Sequence, residues 1–416
     1  DGCPLVPNCL YVMPADAELS VEDGRLRTHP RAEASGHPST IDTFFRSLAR
    51  ECGYKAIGIV LSGTSSDGTV GLEEIKAVGG LTFAQDATAR HDGMPRSAIA
   101  SGCVDYVLPP DGMAAELGRI AHHPYVAPPA APARAAFDAG PVLDLLHEAT
   151  GVDFHQYKLH TLQRRIARRM LLHRFDDMKS YAEMLQGNPG ELQSLYQDIL
   201  IGVTSFFRDP ECFEALKNIV CPRLVADRAR HDPIRVWVPG CSTGEEAYSV
   251  AIALAESLET SGRQLPVRIF ASDVNAAAIE KARIGVYPGS IVQDVSPQRL
   301  RRYFTACDGG YRISKSIRDM CVFARHNLIA DPPFSRIDLV TCRNVLIYLN
   351  ADEQQRVMPM LHSALKPSGY LLLGTSETVG SYRDRFDVED AKHKIYRKKE
   401  AVTRKPGAPR AQTYLH

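Results

Sequence analysis

Apolar and polar positions fall into blocks that predict strands and helices along most of the chain. In the N-terminal part, apolar runs at residues 56–63 and 81–86 predict two buried strands, and residues 69–80 between them predict a helix. Two strands joined through a helix are typical of a parallel sheet covered by helices. We therefore predict a parallel α/β layer in this region.

The pattern changes further along the chain. Residues 142–200 have helical periodicity, and from Arg235 onward strands and helices alternate. The predicted strands have the sequences RVWVPG, VRIFASD, RIDLVTCRN and GYLLLGTSE, and helices are predicted from Glu245 and at 352–365. Alternation of this kind predicts a doubly wound α/β sheet. Residues 286–323 interrupt the alternation, and we interpret them as a small insertion.

A stretch rich in proline and alanine separates the two patterns. Residues 122–141 read HHPYVAPPAAPARAAFDAGP, a composition typical of a semi-stiff spacer. We predict an α/β region at 1–121, a linker at 122–140, a helical subdomain at 141–210, a main α/β domain at 211–400 with its insertion at 286–323, and a disordered tail at 401–416.

Composition limits the function classes that are open to the chain. Its 416 residues include 49 basic and 49 acidic side chains, so no net field favours nucleic acid or a membrane surface. No apolar run approaches the roughly 18 residues that a membrane-spanning helix needs. The ten cysteines form no CxxC pair and no cluster with zinc spacing. We predict a cytoplasmic protein with reduced thiols, no metal, no membrane insertion and no nucleic-acid partner.

The stretch VWVPGCSTGEEAYS joins a predicted strand to a helix through a turn of small residues. Such a loop presents backbone N–H groups to a ligand. The charges of Glu245 and Glu246 disfavour a pyrophosphate there and suit a cationic or zwitterionic ligand. The alternative is a capping box, since Ser242 with Glu245 and Thr243 with Glu246 both have the required spacing. Capping would use one glutamate and leave the other free.

The next predicted strand ends in Asp273, where an acidic residue commonly accepts hydrogen bonds from a ribose. The alternative is an N-cap for the helix that begins near Asn275. The loop and the aspartate together indicate a nucleoside with a positive, amino-acid-like tail, and S-adenosylmethionine has that shape. The GxGxxG spacing is absent, which argues against NAD.

Five motifs in the same region resemble a known family. In order they are GVTSFFRDPECFEAL, VWVPGCSTGEEAYSVAIAL, FASDVNAAAIEKARIGVY, RHNL and LVTCRNVLIYL, and residues 142–398 resemble CheR-type chemotaxis receptor methyltransferases. The resemblance implies a Rossmann-like core with a helical N-terminal subdomain and a β-subdomain. It also implies methyl transfer from S-adenosylmethionine to glutamate side chains of chemoreceptors, leaving S-adenosylhomocysteine. A signalling scaffold that binds these molecules without turnover is the alternative.

The resemblance also implies the site. The implied cofactor-binding residues are Thr204, Arg208, Glu246, Asp273, Asn327, Leu328, Arg343 and Asn344. Gly202 stands where some members have an asparagine, so one side-chain contact is missing. Arg208 and Tyr348 are the implied catalytic residues.

The implied reaction requires the site to position the substrate carboxylate but does not require a general base. A glutamate carboxylate is ionised at neutral pH and can attack a sulfonium methyl without a general base, provided that it is positioned. Arg208 offers a planar fork for that carboxylate, and Tyr348 offers a hydroxyl. The alternative for Arg208 is a surface ion pair with Asp209 or Glu211.

Residues 158–175, KLHTLQRRIARRMLLHRF, concentrate positive charge on a predicted helix. The four arginines Arg164, Arg165, Arg168 and Arg169 share one face of it. The ordinary interpretation is a solvated face. The sharper hypothesis, which the resemblance favours, is a docking surface for the acidic helical domain of a receptor.

The N-terminal region resembles the C-terminal part of a CheB-type methylesterase through GHPSTIDTFFRSLA, IGIVLSGTSSDGTVGL and GMPRSAIASGCVDYVLP. That family uses a serine, a histidine and an aspartate, and Asp67 is the counterpart of the aspartate. The other two positions would precede residue 1, and His37 is not expected to substitute. An aspartate that only orients an imidazole does nothing alone. We therefore expect no methylesterase activity, Asp67 as a turn or helix cap, and a CheB/CheR fusion-like protein that could be part of a bifunctional one.

Overall fold

The computed structural model describes residues 1–31, 40–123, 125–126, 138–200, 202, 204–226, 228–308 and 310–399. Contacts within the chain separate it into two compact units, Asp1–Val203 and Thr204–His416. The N-terminal α/β region and the helices that follow it therefore belong to one unit. His37, most of the predicted linker at 122–140 and the predicted tail at 401–416 lie outside the described residues.

The first unit consists of short strands and α-helices. Its strands are β1 (Cys3–Pro4), β2 (Ala17–Glu22), β3 (Arg25–Pro30), β4 (Ile57–Val60), β5 (Leu81–Gln85) and β6 (Tyr106–Leu108). Its helices are α1 (Thr40–Cys52), α2 (Thr69–Ala77), α3 (Gly93–Ala100), α4 (Pro110–Ile120), α5 (Gly140–Thr150), α6 (Leu159–His173), α7 (Met178–Gln186) and α8 (Pro189–Ile199).

Strands β4, β5 and β6 form the predicted parallel layer. The first four residues of β5 are all buried, as expected of a strand that is covered on both faces. Helix α2 connects β4 to β5 and packs Leu72 and Ile75 into the core beside them. The other three strands form an antiparallel sheet in the order β1-β3-β2.

The second unit contains the doubly wound domain. Its strands are β7 (Ile234–Pro239), β8 (Val267–Asp273), β9 (Val286–Pro288), β10 (Phe304–Cys307), β11 (Gly310–Ile313), β12 (Cys321–Arg325), β13 (Ile337–Cys342), β14 (Leu365–Leu373), β15 (Phe386–Asp390) and β16 (Ile395–Lys398). Its helices are α9 (Pro210–Ala215), α10 (Cys221–Val225), α11 (Glu245–Thr260), α12 (Ala276–Ile284), α13 (Pro297–Tyr303), α14 (Lys315–Arg318) and α15 (Ala351–Ala364).

Seven strands form the main sheet in the order β12-β8-β7-β13-β14-β16-β15. The first five are parallel, and β16 and β15 add an antiparallel edge that the sequence pattern did not predict. The Rossmann-like α/β class is confirmed. The chain runs outward in opposite directions from β7 and β13, so a crevice is expected beyond the carboxyl ends of these strands.

The insertion after α12 folds as a small antiparallel sheet in the order β10-β11-β9, with α13 beside it. Strand β12 belongs to the main sheet, so the insertion ends before it rather than at residue 323. Across the described parts of both units, no helix combines the length and the apolar character needed to cross a bilayer.

Candidate active site

The loop between β7 and α11 lies at the point where the strand order reverses. Gly240, Ser242 and Gly244 have φ values of +68°, +48° and +98°. This left-handed backbone conformation favours glycine, which occupies two of the three positions. A Cβ on Gly240 would come within 2.4 Å of Val345 Cγ2. Glycine there allows the loop after β13 to pack directly on this loop.

Asp273 connects two loops at the same edge. Its Oδ2 accepts a hydrogen bond from the Ser242 N–H at 2.9 Å and its Oδ1 from the Asn275 N–H at 2.8 Å. Burial raises the pKa of Asp273, and these backbone hydrogen bonds oppose the rise. The N-cap of α12 is Asn275, whose side chain accepts from Ala277 N–H. The cap alternative for Asp273 is therefore wrong.

The two glutamates of the loop have different surroundings. The N-cap of α11 is Gly244, without a side-chain cap, so neither predicted capping box forms. The Thr243 hydroxyl donates to the Glu245 carboxyl at 2.7 Å, and burial raises the pKa of Glu245 to about 7. Glu246 Oε2 lies 3.5 Å from Arg343 Nη1. Burial raises the pKa of Glu246, and the Arg343 guanidinium opposes that rise.

Arg343 follows β13 and is 4% exposed. Its Nη2 donates to the Arg208 carbonyl at 2.8 Å and to Asp209 Oδ2 at 2.7 Å. Its Nη1 and Nε are buried without a hydrogen-bond partner among the described residues. Buried donors without a partner are unfavourable, and a ligand that accepts from them would satisfy them.

The segment that carries Arg208 is conformationally strained. Phe207 and Asp209 have φ values of +50° and +58°, which is uncommon for residues other than glycine and is found at functional sites. The Phe207 N–H donates to the Ser249 hydroxyl at 2.9 Å. The alternative for Arg208 was a surface ion pair with Asp209 or Glu211. In the structure Asp209 pairs with Arg343, and Glu211 pairs with Lys392.

The other predicted residues lie on loops of the same unit. Asn327 follows β12, where its N–H donates to Asp331 Oδ2 and its Oδ1 accepts from the Ile329 N–H. Asn344 directly follows Arg343 with φ +58°. Thr204, Leu328 and Tyr348 are partly buried, and Tyr348 ends a 3₁₀ turn, Leu346–Tyr348. Because β12 and β13 are both parallel to their neighbours, these loops leave the sheet at one edge.

Glu377 was not among the predicted site residues. It is 4% exposed and accepts backbone hydrogen bonds from the loop after β13, including those from Asn344 N–H and Val345 N–H, both at 2.9 Å. The available signal was its position in GYLLLGTSE, just past a parallel strand whose end faces the same edge.

The arginine face of α6 is not exposed as a whole, so the predicted docking surface needs correction. Arg165 and Arg168 are 7% and 0% exposed. Arg165 donates to the carbonyls of Lys76 and Ala77 at the end of α2. Arg168 lies between carboxylates of Asp105 and Asp198. Tertiary packing against the methylesterase-like region, which periodicity could not reveal, buries these two guanidinium groups.

The outer arginines of α6 also have partners inside the first unit. Arg169 pairs with Glu191, and Arg164 lies 4.4 Å from the centre of the Tyr54 ring although it remains exposed. The prediction of one four-arginine docking face therefore does not describe this structure.

Asp67 acts as a helix cap, as the structural alternative proposed. Its Oδ2 accepts from the Ile41 N–H and its Oδ1 from the Asp42 N–H, both at 3.0 Å, at the first turn of α1. Both carboxylate oxygens thus satisfy backbone donors that a helix start leaves without intrahelical partners.

Comparisons with known proteins agree with this geometry. Residues 202–395 match the SAM binding domain of CheR methyltransferase, residues 141–200 match the all-alpha domain of CheR methyltransferase, and residues 1–117 match the CheB methylesterase. The chemotaxis protein methyltransferase of Escherichia coli (strain K12) is 32% identical, and the match covers 59% of this chain and 85% of that protein. The chain belongs to the CheR methyltransferase family.

Two further proteins are similar to this chain. Chemotaxis protein methyltransferase 2 of Pseudomonas aeruginosa is 32% identical over 57% of this chain and 84% of its own length. An uncharacterized 104.1 kDa protein in the hypE 3′ region of Rhodobacter capsulatus is 40% identical over 95% of this chain, which spans only 44% of that protein. Its similarity extends across both the CheB-like and the CheR regions.

Proposed function

We propose that the chain transfers a methyl group from S-adenosylmethionine to glutamate side chains in the cytoplasmic helical domains of chemoreceptor-type signalling proteins, and that it acts in the cytoplasm. Its membership of the CheR family supports the proposal. The structural observation that carries it is the buried Arg343 at the strand-order reversal. Its Nη1 and Nε have no hydrogen-bond partner in the described part of the chain, and it faces Glu246. Opposite charges beyond the carboxyl ends of these strands suit a zwitterionic ligand.

The residues present fit the methyl donor. A carboxylate has about four acceptor positions. Ser242, Val274 and Asn275 donate backbone N–H groups to Asp273, which leaves room for a ribose hydroxyl. Glu246 would accept from the amino group of the methionine tail, and Arg343 would donate to its carboxylate. Thr204, Asn327, Leu328 and Asn344 are proposed to complete the donor site.

S-adenosylmethionine supplies an electrophilic methyl group when it is bound. Arg208 is proposed to hold the substrate carboxylate in line through a bidentate pair, and Tyr348 to orient one of its oxygens with the phenolic hydroxyl. Two hydrogen bonds hold the backbone beside the Arg208 side chain: the Phe207 N–H donates to the Ser249 hydroxyl, and the Arg208 carbonyl accepts from Arg343. Because the substrate glutamate is ionised near neutral pH, no general base is required.

Calorimetry with S-adenosylhomocysteine tests the donor site. Asp273→Ala should weaken binding by at least about tenfold, since a ribose acceptor and the bond to the Ser242 loop are both lost. Asp338→Asn is a matched control because Asp338 is a buried carboxylate near the opposite end of β13. Equal affinity of wild type and Asp273→Ala would contradict the proposed site.

Transfer of labelled methyl groups to receptor fragments tests the activity. The product should be base-labile, as expected of a carboxyl methyl ester. Binding of S-adenosylhomocysteine without any transfer would instead favour a scaffold that binds the donor and does not turn it over.

A further inference from the structure

Glu377 follows β14 and accepts an unusual number of backbone hydrogen bonds. Its Oε1 accepts from the N–H groups of Val345, Leu346 and Ile347 at 2.9, 2.8 and 3.3 Å. Its Oε2 accepts from the Asn344 N–H at 2.9 Å and from the Gly374 N–H at 2.7 Å. A single carboxylate thus gathers five backbone donors, four of them consecutive in the loop after β13.

That loop has no side-chain cap of its own. Val345 is the N-cap of the turn Leu346–Tyr348 and makes no side-chain cap hydrogen bond. Asn344 has φ +58°, which costs free energy for a residue other than glycine. Without Glu377 the four N–H groups would lose their acceptor in a buried or half-buried setting, which is unfavourable. The conformation of the loop therefore depends on a residue from the segment that follows β14.

A glycine just past the end of β14 makes this contact possible. A Cβ on Gly374 would lie 2.7 Å from Glu377 Oε2 and 3.0 Å from the Asn344 nitrogen. Glycine at this position therefore lets the carboxylate approach the backbone. The loop in turn packs on the first site loop, because Val345 Cγ2 lies 2.4 Å from where a Gly240 Cβ would be.

We propose that Glu377 is a positioning residue for the donor site. By fixing the backbone at 344–347 it sets the directions in which the proposed donor-binding residues Arg343 and Asn344 leave the edge of the sheet. It also fixes the distance between the loops after β7 and β13 through the Val345–Gly240 contact. The inference rests on the proposed function, because its effect on donor affinity presupposes that these residues bind the donor.

Glu377→Gln tests the inference in the full chain. Glutamine keeps the shape but offers one acceptor oxygen, and its NH2 group would face backbone donors. Hydrogen exchange of the amides at 344–347 should accelerate by about tenfold or more in the ligand-free protein. The dissociation constant of S-adenosylhomocysteine and the KM of the methyl donor should each rise about tenfold, with kcat at saturating donor changed by less than about threefold.

Asp338→Asn is the matched control. Asp338 accepts from the Arg235 N–H at 2.8 Å and from Arg228 at 2.7 Å near the opposite end of β13. The same loss of a buried carboxylate there should lower the melting temperature while leaving loop exchange and donor affinity unchanged. If Asp338→Asn weakens donor binding as much as Glu377→Gln does, general destabilisation explains the effect and the inference fails.

A second variant covers the case in which Glu377→Gln does not fold. Gly374→Ala inserts a methyl group against the carboxylate and should produce the same exchange and affinity changes. Failure of both variants to fold would overturn the inference, since a positioning role requires the fold to survive. Unchanged exchange at 344–347 in a folded Glu377→Gln would also overturn it. If wild type binds no S-adenosylhomocysteine, the proposed function fails, while the exchange measurement still tests the role of Glu377.

Discussion

Each compact unit contains a buried arginine, and the two are satisfied differently. In the first unit, Arg168 Nε donates to the Gly80 carbonyl at 3.1 Å, Nη1 to Asp198 at 2.9 Å, and Nη2 to Asp105. In the second unit, Arg343 makes hydrogen bonds to described residues through Nη2 alone, which donates to the Arg208 carbonyl and to Asp209. Both side chains are nearly inaccessible to water.

The contrast separates a structural arginine from a candidate ligand-binding one. A buried charge is tolerated when it is paired and hydrogen-bonded, and Arg168 meets that condition entirely within the protein. Arg343 does not, and it lies at an edge of the sheet where ligands bind in folds of this class. Burial with incomplete hydrogen bonding is therefore a better indication of a candidate ligand site than the number of arginines along a helix.

The largest expected effect concerns the fully paired arginine. Arg168→Met leaves Asp105 and Asp198 buried beside an apolar side chain, so the free energy of unfolding should fall by about 3–5 kcal/mol. Denaturant unfolding followed by circular dichroism measures this change. Affinity for S-adenosylhomocysteine should be unchanged under conditions in which the variant is folded. A loss below about 1 kcal/mol would show that the network is not structural.

A buried carboxyl without a salt bridge gives the next largest effect. The pKa of Glu245 is raised by burial to about 7, so the folded protein holds this proton more tightly than the unfolded chain does. Wild-type stability should therefore fall as the pH rises from the ordinary range of a glutamate to about 7. Glu245→Gln does not titrate and should be more stable than wild type by about 2–3 kcal/mol at pH 8, with little difference near pH 4.

Melting temperatures of the two proteins across this pH range check the result. A difference that does not change with pH would mean that Glu245 titrates normally in the folded protein.

Substitution of Arg343, the incompletely paired arginine, should change donor affinity more than stability, whereas substitution of Arg168 should change stability and leave donor affinity unchanged. Arg343→Met removes the cation that faces Glu246, and affinity for S-adenosylhomocysteine should fall at least about tenfold, or about 1.4 kcal/mol. The loss of stability should be smaller than for Arg168→Met because Asp209 is partly exposed and can be hydrated. Titration calorimetry and denaturant unfolding of the same preparations compare the two. Equal donor affinity for both arginine variants would break the contrast.

The smallest effect is expected at the exposed arginine of α6. Arg164→Gln removes a cation–π contact with Tyr54 and should cost about 0.5–1 kcal/mol in unfolding free energy. Thermal unfolding of Arg164→Gln and Arg168→Met under the same conditions compares the stability lost in the two variants. Similar losses would mean that burial on α6 matters less than the structure indicates.

Much of the architecture could be predicted because the local pattern reflects burial. The apolar runs RVWVPG and RIDLVTCRN became β7 and β13, the two central strands, since strands covered on both faces need continuous apolar side chains. The positions of Asp273 at the end of β8 and of Glu246 at the start of α11 could also be predicted, because the apolar runs mark where β7 and β8 end. The antiparallel β15 and β16 were missed, as their pairing joins segments that carry no distinctive alternation.

Long-range contacts account for what the pattern did not predict. The helical periodicity of residues 158–175 correctly predicted α6 but not the part of the unit that covers it. Arg165 and Arg168 were therefore predicted to face solvent or a partner. For Glu377 the local sequence shows only a position just past a parallel strand, because four of its five donors are backbone N–H groups some thirty positions earlier in the chain.

The sequence by itself determined the family, the alternation of strands and helices in the central part of the main sheet, and the residue types at the ends of those strands. These follow from short-range periodicity and motif spacing, which are written along the chain. Only the tertiary structure decided which of the charged residues are satisfied internally. Arg168 and Arg343 are the same residue type, and both are buried. Their difference arises from which carboxylates the fold brings to each guanidinium, because the net energy of a buried charge depends on the partners that surround it in space.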